Sequence, residues 1–307
     1  MHDTDDTRPS ARSTLRKDAT RPMPHSRRLL ALWAGFACLL ISCAPAPVAP
    51  ANAEPAVQLR LAGSTSMLPL VRELAAAYEA RHPNVSCDII GVGSTGGLEL
   101  LARGQADLAL VSRALEPDEA EDAQTGKRLL TAVAIAQDAV AMIVNERNPL
   151  RDIDPFDLRK LFQGRITDWA DLGGLAGEIT VVSREDGSAT REVFEGGVMM
   201  DYPVSSGAVV MPGSAAVADY VAKHEGAIGY VSLGYVSPGV AALTIGGVRP
   251  ERAAIQDGRY PITRPFLLVS PAATGVGATA FVQFAHGPVG LAIARRLYGD
   301  PPVSGVR

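Results

Sequence analysis

Only three cysteines occur in the 307 residues, and that scarcity removes whole classes of protein. Cys38 lies in an apolar run near the N-terminus, Cys43 lies just beyond it, and Cys87 alone belongs to the body of the chain. A disulfide framework is therefore excluded. Histidine is as sparse: beyond the first 43 residues only His82, His224 and His286 occur, widely separated, so no metal-ligand spacing arises and no cofactor is implied. Positive charge is also in short supply, with 29 basic against 33 acidic residues. That balance argues against a nucleic-acid partner. No internal repeat stands out, and the apolar run of residues 29–41 falls short of the ~20 residues a membrane span needs.

What is present begins with an address. Residues 1–22 are polar and read as an extension, with Met23 as the expected start. Arg27-Arg28, the apolar run 29–41 and a small residue before Cys43 form a secretory signal. Leu40-Ile41-Ser42-Cys43 has the form of a bacterial lipobox, which would make Cys43 the lipidated first residue after removal of 1–42. An ordinary secretion signal cut further on is the alternative. Residues 43–56, rich in Pro and Ala, read as a tether. Removing residues 1–42 takes away seven basic and four acidic groups, leaving 22 and 29, a formal charge of −7. Any anion bound by such a chain must be held by local donors against the overall field.

Strand and helix signals then alternate. Strands are expected at 57–61, 85–90, 108–111, 130–135, 139–144, 179–182, 227–231, 243–248 and 266–269. Helices are expected at 67–81, 97–103, 156–162, 191–198 and 215–224, with a broken pair closing the chain at 279–298. This is an α/β pattern of mostly parallel sheets covered on both faces. It suggests two α/β lobes, one of residues 57–144 and 227–307, the other of 145–226, with crossings near Asn145 and Gly226. Cys87, inside an apolar strand, reads as a core thiol.

Between these elements lie short Gly/Ser/Thr clusters: Gly63-Ser64-Thr65-Ser66, Gly93-Ser94-Thr95-Gly96, Ser112-Arg113 and Asp186-Gly187-Ser188-Ala189-Thr190. Each follows an apolar strand and three open a helix, where unpaired backbone N–H groups and the helix dipole attract anions. Gly91 to Gly96 satisfies G-x-G-x-x-G, but no acidic residue closes the next strand, so a dinucleotide site is disfavoured; a tight turn and an anion cradle remain. Arg184 offers a planar fork to a tetrahedral anion, Asp186 is near enough in sequence to hold it, and Ser188 is either a helix cap, a ligand hydroxyl, or both. Arg113 reads as a second guanidinium or as the partner of a surface ion pair. Asp138, between two apolar strands, is a turn residue or a carboxylate that accepts the proton of a protonated oxyanion and so discriminates against sulfate.

Jointly these segments resemble the phosphate-binding proteins of bacterial phosphate ABC importers, the PstS-like family. The resemblance runs from about Leu59 to Val303 and rests on Ala62-Gly63-Ser64-Thr65-Ser66-Met67-Leu68-Pro69-Leu70, Gly93-Ser94-Thr95-Gly96-Gly97, residues 106–113, 139–145, Asn148-Pro149, 162–169, 183–191 and Ala227-Ile228-Gly229-Tyr230-Val231. It implies a periplasmic-binding-protein-like fold of type II, two lobes joined by a hinge over the ligand. It implies phosphate contacts from Thr65, Ser66, Ser94, Ser112, Arg184, Ser188, Ala189 and Thr190; Thr95, in the same loop as Ser94, is a further candidate. It further implies a monomer that binds inorganic phosphate without covalent chemistry and works with permease subunits in the membrane. Two departures stand out. Some members carry Asp after the serine where this chain has Arg113, which leaves Asp138 as the candidate proton acceptor, and Ala189 replaces a usual Gly. Another oxyanion (sulfate, molybdate), a small organic phosphate and a periplasmic phosphatase are the alternatives.

Overall fold

The computed structural model describes residues 56–121, 127–200 and 202–302; the signal segment, Cys43 and the tether up to residue 55 lie outside them. In chain order the elements are β1 (Val57–Gly63), α1 (Leu68–Glu79), β2 (Val85–Gly91), α2 (Gly93–Ala102), β3 (Leu108–Val111), α3 (Pro117–Ala120) and β4 (Leu130–Asn145). There follow β5 (Asp152–Ile153), α4 (Pro155–Phe162), β6 (Thr180–Arg184), α5 (Ala189–Phe194), β7 (Val209–Met211), α6 (Ser214–Lys223) and β8 (Ala227–Ser232). The chain continues with β9 (Val240–Ala242), β10 (Thr244–Ile245), α7 (Arg252–Gln256), β11 (Thr263–Pro271), α8 (Val276–His286) and α9 (Pro288–Ala294). Local chemistry explains several boundaries. Asp154 caps α4 by accepting from the Phe156 N–H, with Pro155 at the first helical position. The Gly287-Pro288 step separates α8 from α9, since Pro cannot continue a helix.

The large sheet has the order β2-β1-β3-β11-β4-β8-β6-β7, with β9 on β4. Its outer pairs are parallel, but β11 runs antiparallel to β3 and β4, and β4 antiparallel to β8. The centre is therefore mixed where parallel pairing was expected throughout most of the sheet. The strands expected at 130–135 and 139–144 are one: β4 runs unbroken, because Asp138 finds Arg264 directly opposite on β11 and Gln137 exchanges backbone bonds with Gly299. A bulge at Phe266/Leu267 shifts the register just before that point.

Two cores lie along this sheet. The first joins Leu61, Leu74, Leu110, Ile135, Phe266, Leu268 and Phe281 beneath α1 and α8, with Ala109, Val111 and Val269 covered on the opposite face near Leu101 of α2. The second joins Met142, Leu158, Phe162, Phe194, Tyr230, Leu243 and Tyr260, with Ile143, Val182, Val217 and Val231 packing under α6 on the other face. β4 changes partner between them, pairing β11 up to Ala139 and β8 from Val140. The crossings expected at Asn145 and Gly226 thus fall inside the second core. The chain passes between cores near Asp138 and again between Ile262 and Phe266. Cys87 sits half-buried on the edge strand β2, against the first core, and burial beside Glu79 pushes its thiol up to about 11.

Tyr230 anchors the second core. Its ring stacks on Phe194 at 4.1 Å, and Phe162 packs 4.5 Å from Phe194. Phe194→Ala should therefore cost about 3–5 kcal/mol in urea unfolding, transfer and cavity terms together.

Candidate functional site

The stretch Ser64-Thr65-Ser66 links two hydroxyl networks. On one side Ser64 Oγ lies 2.7 Å from Ser112 Oγ, and Ser112 N donates to Ser94 Oγ at 3.2 Å. On the other, Ser66 Oγ lies 2.7 Å from Thr190 Oγ1 and 3.0 Å from Ser214 Oγ. Ser66, Ser94, Ser112, Ser188, Thr190 and Ser214 are all buried, as Ala189 is between them in sequence. Each comes from the end of a strand or the start of a helix, so backbone N–H groups accompany the hydroxyls. The first core supplies the segments around 64–66, 94 and 112; the second supplies those around 184–190 and 214.

Arg184 is held at 1 % exposure at the end of β6. Its Nη1 donates to Ser214 Oγ (3.1 Å) and its Nη2 to Thr65 Oγ1 (3.2 Å), so one guanidinium touches both sides. The Phe162–Phe194–Tyr230 cluster fixes its backbone: Arg184 N donates to Tyr230 Oη, which also bonds Ser183 Oγ. Burial pushes the Tyr230 phenol up to about 12, against the pull of those hydrogen bonds, so it stays a neutral strut.

Three sequence expectations need correction. Arg184 is held by Glu185, at 2.7 and 2.6 Å, and not by Asp186, whose exposed carboxylate pairs with Arg191 at 2.6 Å. Arg113 does not join the hydroxyls. It makes two 2.7 Å bonds to Glu119 and lies 2.6 Å from Glu192 on α5, and those carboxylates hold its guanidinium above the usual range despite burial. Asp138 is fully buried, but both its oxygens are taken: Oδ1 accepts from Ser232 Oγ and Leu233 N, Oδ2 from Arg264 Nε. It stands behind Arg264 and not as a free acceptor. Ser188 accepts from Arg191 N at 3.4 Å and so caps α5. Gly93 and Thr95 both lie against Gly187: a Cβ on Gly93 would stand 3.1 Å from the Gly187 carbonyl oxygen, and one on Gly187 would stand 3.4 Å from Thr95 Cβ.

Sequence reasoning missed Ser214, Glu185, Arg264 and Tyr235, whose phenol donates to the Thr65 carbonyl at 2.6 Å. Ser214 had a signal, a hydroxyl after Gly213 at the start of an amphipathic helix. Among the described residues no group of three or more His, Cys, Asp or Glu is placed to hold a metal ion.

The profile described as the PBP superfamily domain matches residues 49–288. A phosphate-binding protein PstS from Bacillus subtilis is 32% identical over 205 residues, covering 66% of this chain and 67% of its own length. The chain belongs to the PBP superfamily and, within it, to the PstS family. Among PstS-like structures, a phosphate ABC transporter substrate-binding protein from Clostridium perfringens, solved with bound phosphate, superposes with a TM-score of 0.73 at 31% identity, over 79% of this chain and 99% of that one. An ABC-type phosphate transport receptor from Vibrio cholerae gives 0.62 at 30% identity, over 78% and 99%. The fold is thus the two-lobed type II arrangement of this family.

Proposed function

We propose that this chain is an extracytoplasmic receptor, anchored by lipid on Cys43, that takes inorganic phosphate between its lobes and passes it to an ABC importer. The observation that carries the reading is the buried guanidinium of Arg184, which reaches hydroxyls of both lobes at once. An oxyanion placed among Thr65, Ser66, Ser94, Ser112, Ser188 and Thr190 would exchange hydroxyl–hydroxyl bonds for bonds to its own oxygens, with closure of one lobe on the other. That the PstS relatives are phosphate-binding and phosphate-transport proteins supports phosphate as that anion. The lobe division we propose follows the cores, with crossings near Asp138 and near Ile262.

Among the described residues these hydroxyls bond one another, the backbone and arginine, and no histidine. A nucleophilic serine needs a general base within hydrogen-bond reach, and buried serines bonded to hydroxyls and guanidinium lack one, so we read the site as binding and not catalytic. Titration calorimetry on the mature chain tests the assignment. Phosphate should bind with a dissociation constant near 1 μM, about −8 kcal/mol; heat with sulfate or molybdate and none with phosphate would reject it. For the anchor, Cys43→Ser should move the protein from the membrane fraction to the soluble one, and a variant that stays membrane-bound would reject lipidation there.

Arg113, from the lobe of β3, and Glu192, from the lobe of α5, form an ion pair across the interlobe boundary, at 10 and 44 % side-chain exposure. Glu192→Gln should leave the anion contacts intact and speed opening. The expected result is a roughly 3- to 10-fold faster phosphate release in stopped-flow, with the association rate little changed, in keeping with a partly exposed pair.

A further inference from the structure

Arg264 belongs to none of the segments that carry the family resemblance, yet it reaches the hydroxyl network. It lies on β11 directly opposite Asp138, at 1 % exposure. Its Nε donates to Asp138 Oδ2 at 3.0 Å and its Nη1 to Thr190 Oγ1 at 2.8 Å. Nη2 is also 3.0 Å from Oδ2 but off the hydrogen-bond direction, so this nitrogen is buried without a hydrogen-bond partner. Leaving such a donor unpaired is costly, and a ligand oxygen beside Thr190 would relieve it. Thr190 in turn bonds Ser66, and Ser66 bonds Ser214, the acceptor of Arg184.

We propose that Arg264 is a second guanidinium that holds the bound oxyanion, in the part expected of Arg113, and that Asp138 is a positioning residue which acts through it to limit the charge offered to the anion. The proposal rests on the receptor reading and deepens it. Ionised Asp138 neutralises Arg264 just as Glu185 neutralises Arg184, so the anion meets directed donors with little net charge. Protonated or amidated, Asp138 would leave Arg264 uncompensated, and fully ionised anions would gain most.

The groups facing this carboxylate are Arg264 from β11, Ser232 and Leu233 at the end of β8, and Tyr260 and Tyr298, whose phenols are raised by burial and further by its charge. Burial pushes the Asp138 carboxyl up to about 6, against the pull of Arg264. Sulfate keeps its charge through that range. Its affinity should therefore rise as pH falls through about 6, reporting on the protein alone.

The experiment titrates inorganic phosphate and sulfate into the mature chain at about pH 5 and about pH 8, with thermal melting as the fold control. It uses wild type, Asp138→Asn, Arg264→Lys and the double variant Asp138→Asn/Arg264→Gln. The double variant removes both charges together and leaves neither buried alone. Asp138→Asn should tighten sulfate about tenfold at the higher pH and flatten its pH profile. The double variant should melt near wild type yet lose phosphate about 100-fold, a loss typical of a buried charged contact. Arg264→Lys, which keeps a charge opposite Asp138 without the fork, should lose about tenfold and decides the matter if the double variant does not fold. Phosphate binding within about threefold of wild type in both Arg264 variants, or an unchanged sulfate profile in Asp138→Asn, would overturn the proposal. Wild type that takes sulfate or molybdate and refuses phosphate would instead sink the phosphate assignment, while the same variants read with that anion still decide the role of Arg264.

Discussion

Arg184→Ala should all but abolish phosphate binding while leaving a folded protein. The guanidinium is buried and donates to Ser214 and Thr65, and Ser214 bonds Ser66, which bonds Thr190 in turn. Truncating one member of a buried, hydrogen-bonded charge system costs about 2–5 kcal/mol, or roughly 30- to several-thousand-fold in affinity. The loss goes beyond missing bonds. Glu185, whose side chain is 30 % exposed, would stay at the site without its partner and repel the incoming anion. Arg184→Lys keeps the charge but cannot reach Ser214, Thr65 and Glu185 together, so an intermediate loss is expected. Folding should tolerate both changes, because Tyr230 holds the backbone N–H of residue 184 whatever its side chain. Calorimetric titration against phosphate checks the loss and thermal melting checks the fold. Affinity within about threefold of wild type would place the anion elsewhere.

Much of this was legible from local chemistry. The clusters at 63–66, 93–96 and 186–190 declare themselves because strand ends and helix starts favour Gly, Ser and Thr, and this preference is written within a few residues. The structure brings all of them together. What stayed hidden depends on register and on pairings across the chain. Asp138 and Arg264 are 126 residues apart, and only the alignment of β4 with β11 makes them opposite. Without that partner, a polar pair in an apolar stretch reads as a turn, which is why one long strand looked like two. Arg113 failed for a related reason: Glu192, 79 positions away by the numbering, approaches only when α5 is placed. The exchange of Asp186 for Glu185 is subtler. Both are within reach of Arg184 by sequence, and only the turn into α5 aims Asp186 outward to Arg191.

The second large effect concerns a glycine that the G-x-G-x-x-G reading passes over. That pattern picks out Gly91, Gly93 and Gly96, and a Cβ on Gly96 would meet only the Val92 side chain, at 3.3 Å. Gly97 is different. It lies inside α2, and a Cβ there would stand 2.6 Å from both the Ala62 carbonyl oxygen and Gly63 Cα. The helix rests on the backbone of β1 at this point, and neither can yield without moving the other. In an unconstrained helix Gly→Ala stabilises by about 1 kcal/mol. Here the clash should reverse the sign, with Gly97→Ala destabilising by about 1–3 kcal/mol through overpacking. Gly196 supplies the control, since nothing lies within 4 Å of a Cβ there and its alanine variant should be neutral or slightly stabilising. Binding should suffer with stability at Gly97 alone. Ser94 lies one turn earlier on α2, and its 3.2 Å bond to Ser112 N depends on the seat of that helix against β1 and β3. Urea unfolding and phosphate titration on the two variants separate the cases: a Gly97→Ala protein as stable and as tight as the Gly196→Ala control would mean that α2 is not seated as described, and that the Ser94–Ser112 side of the site is not held by packing.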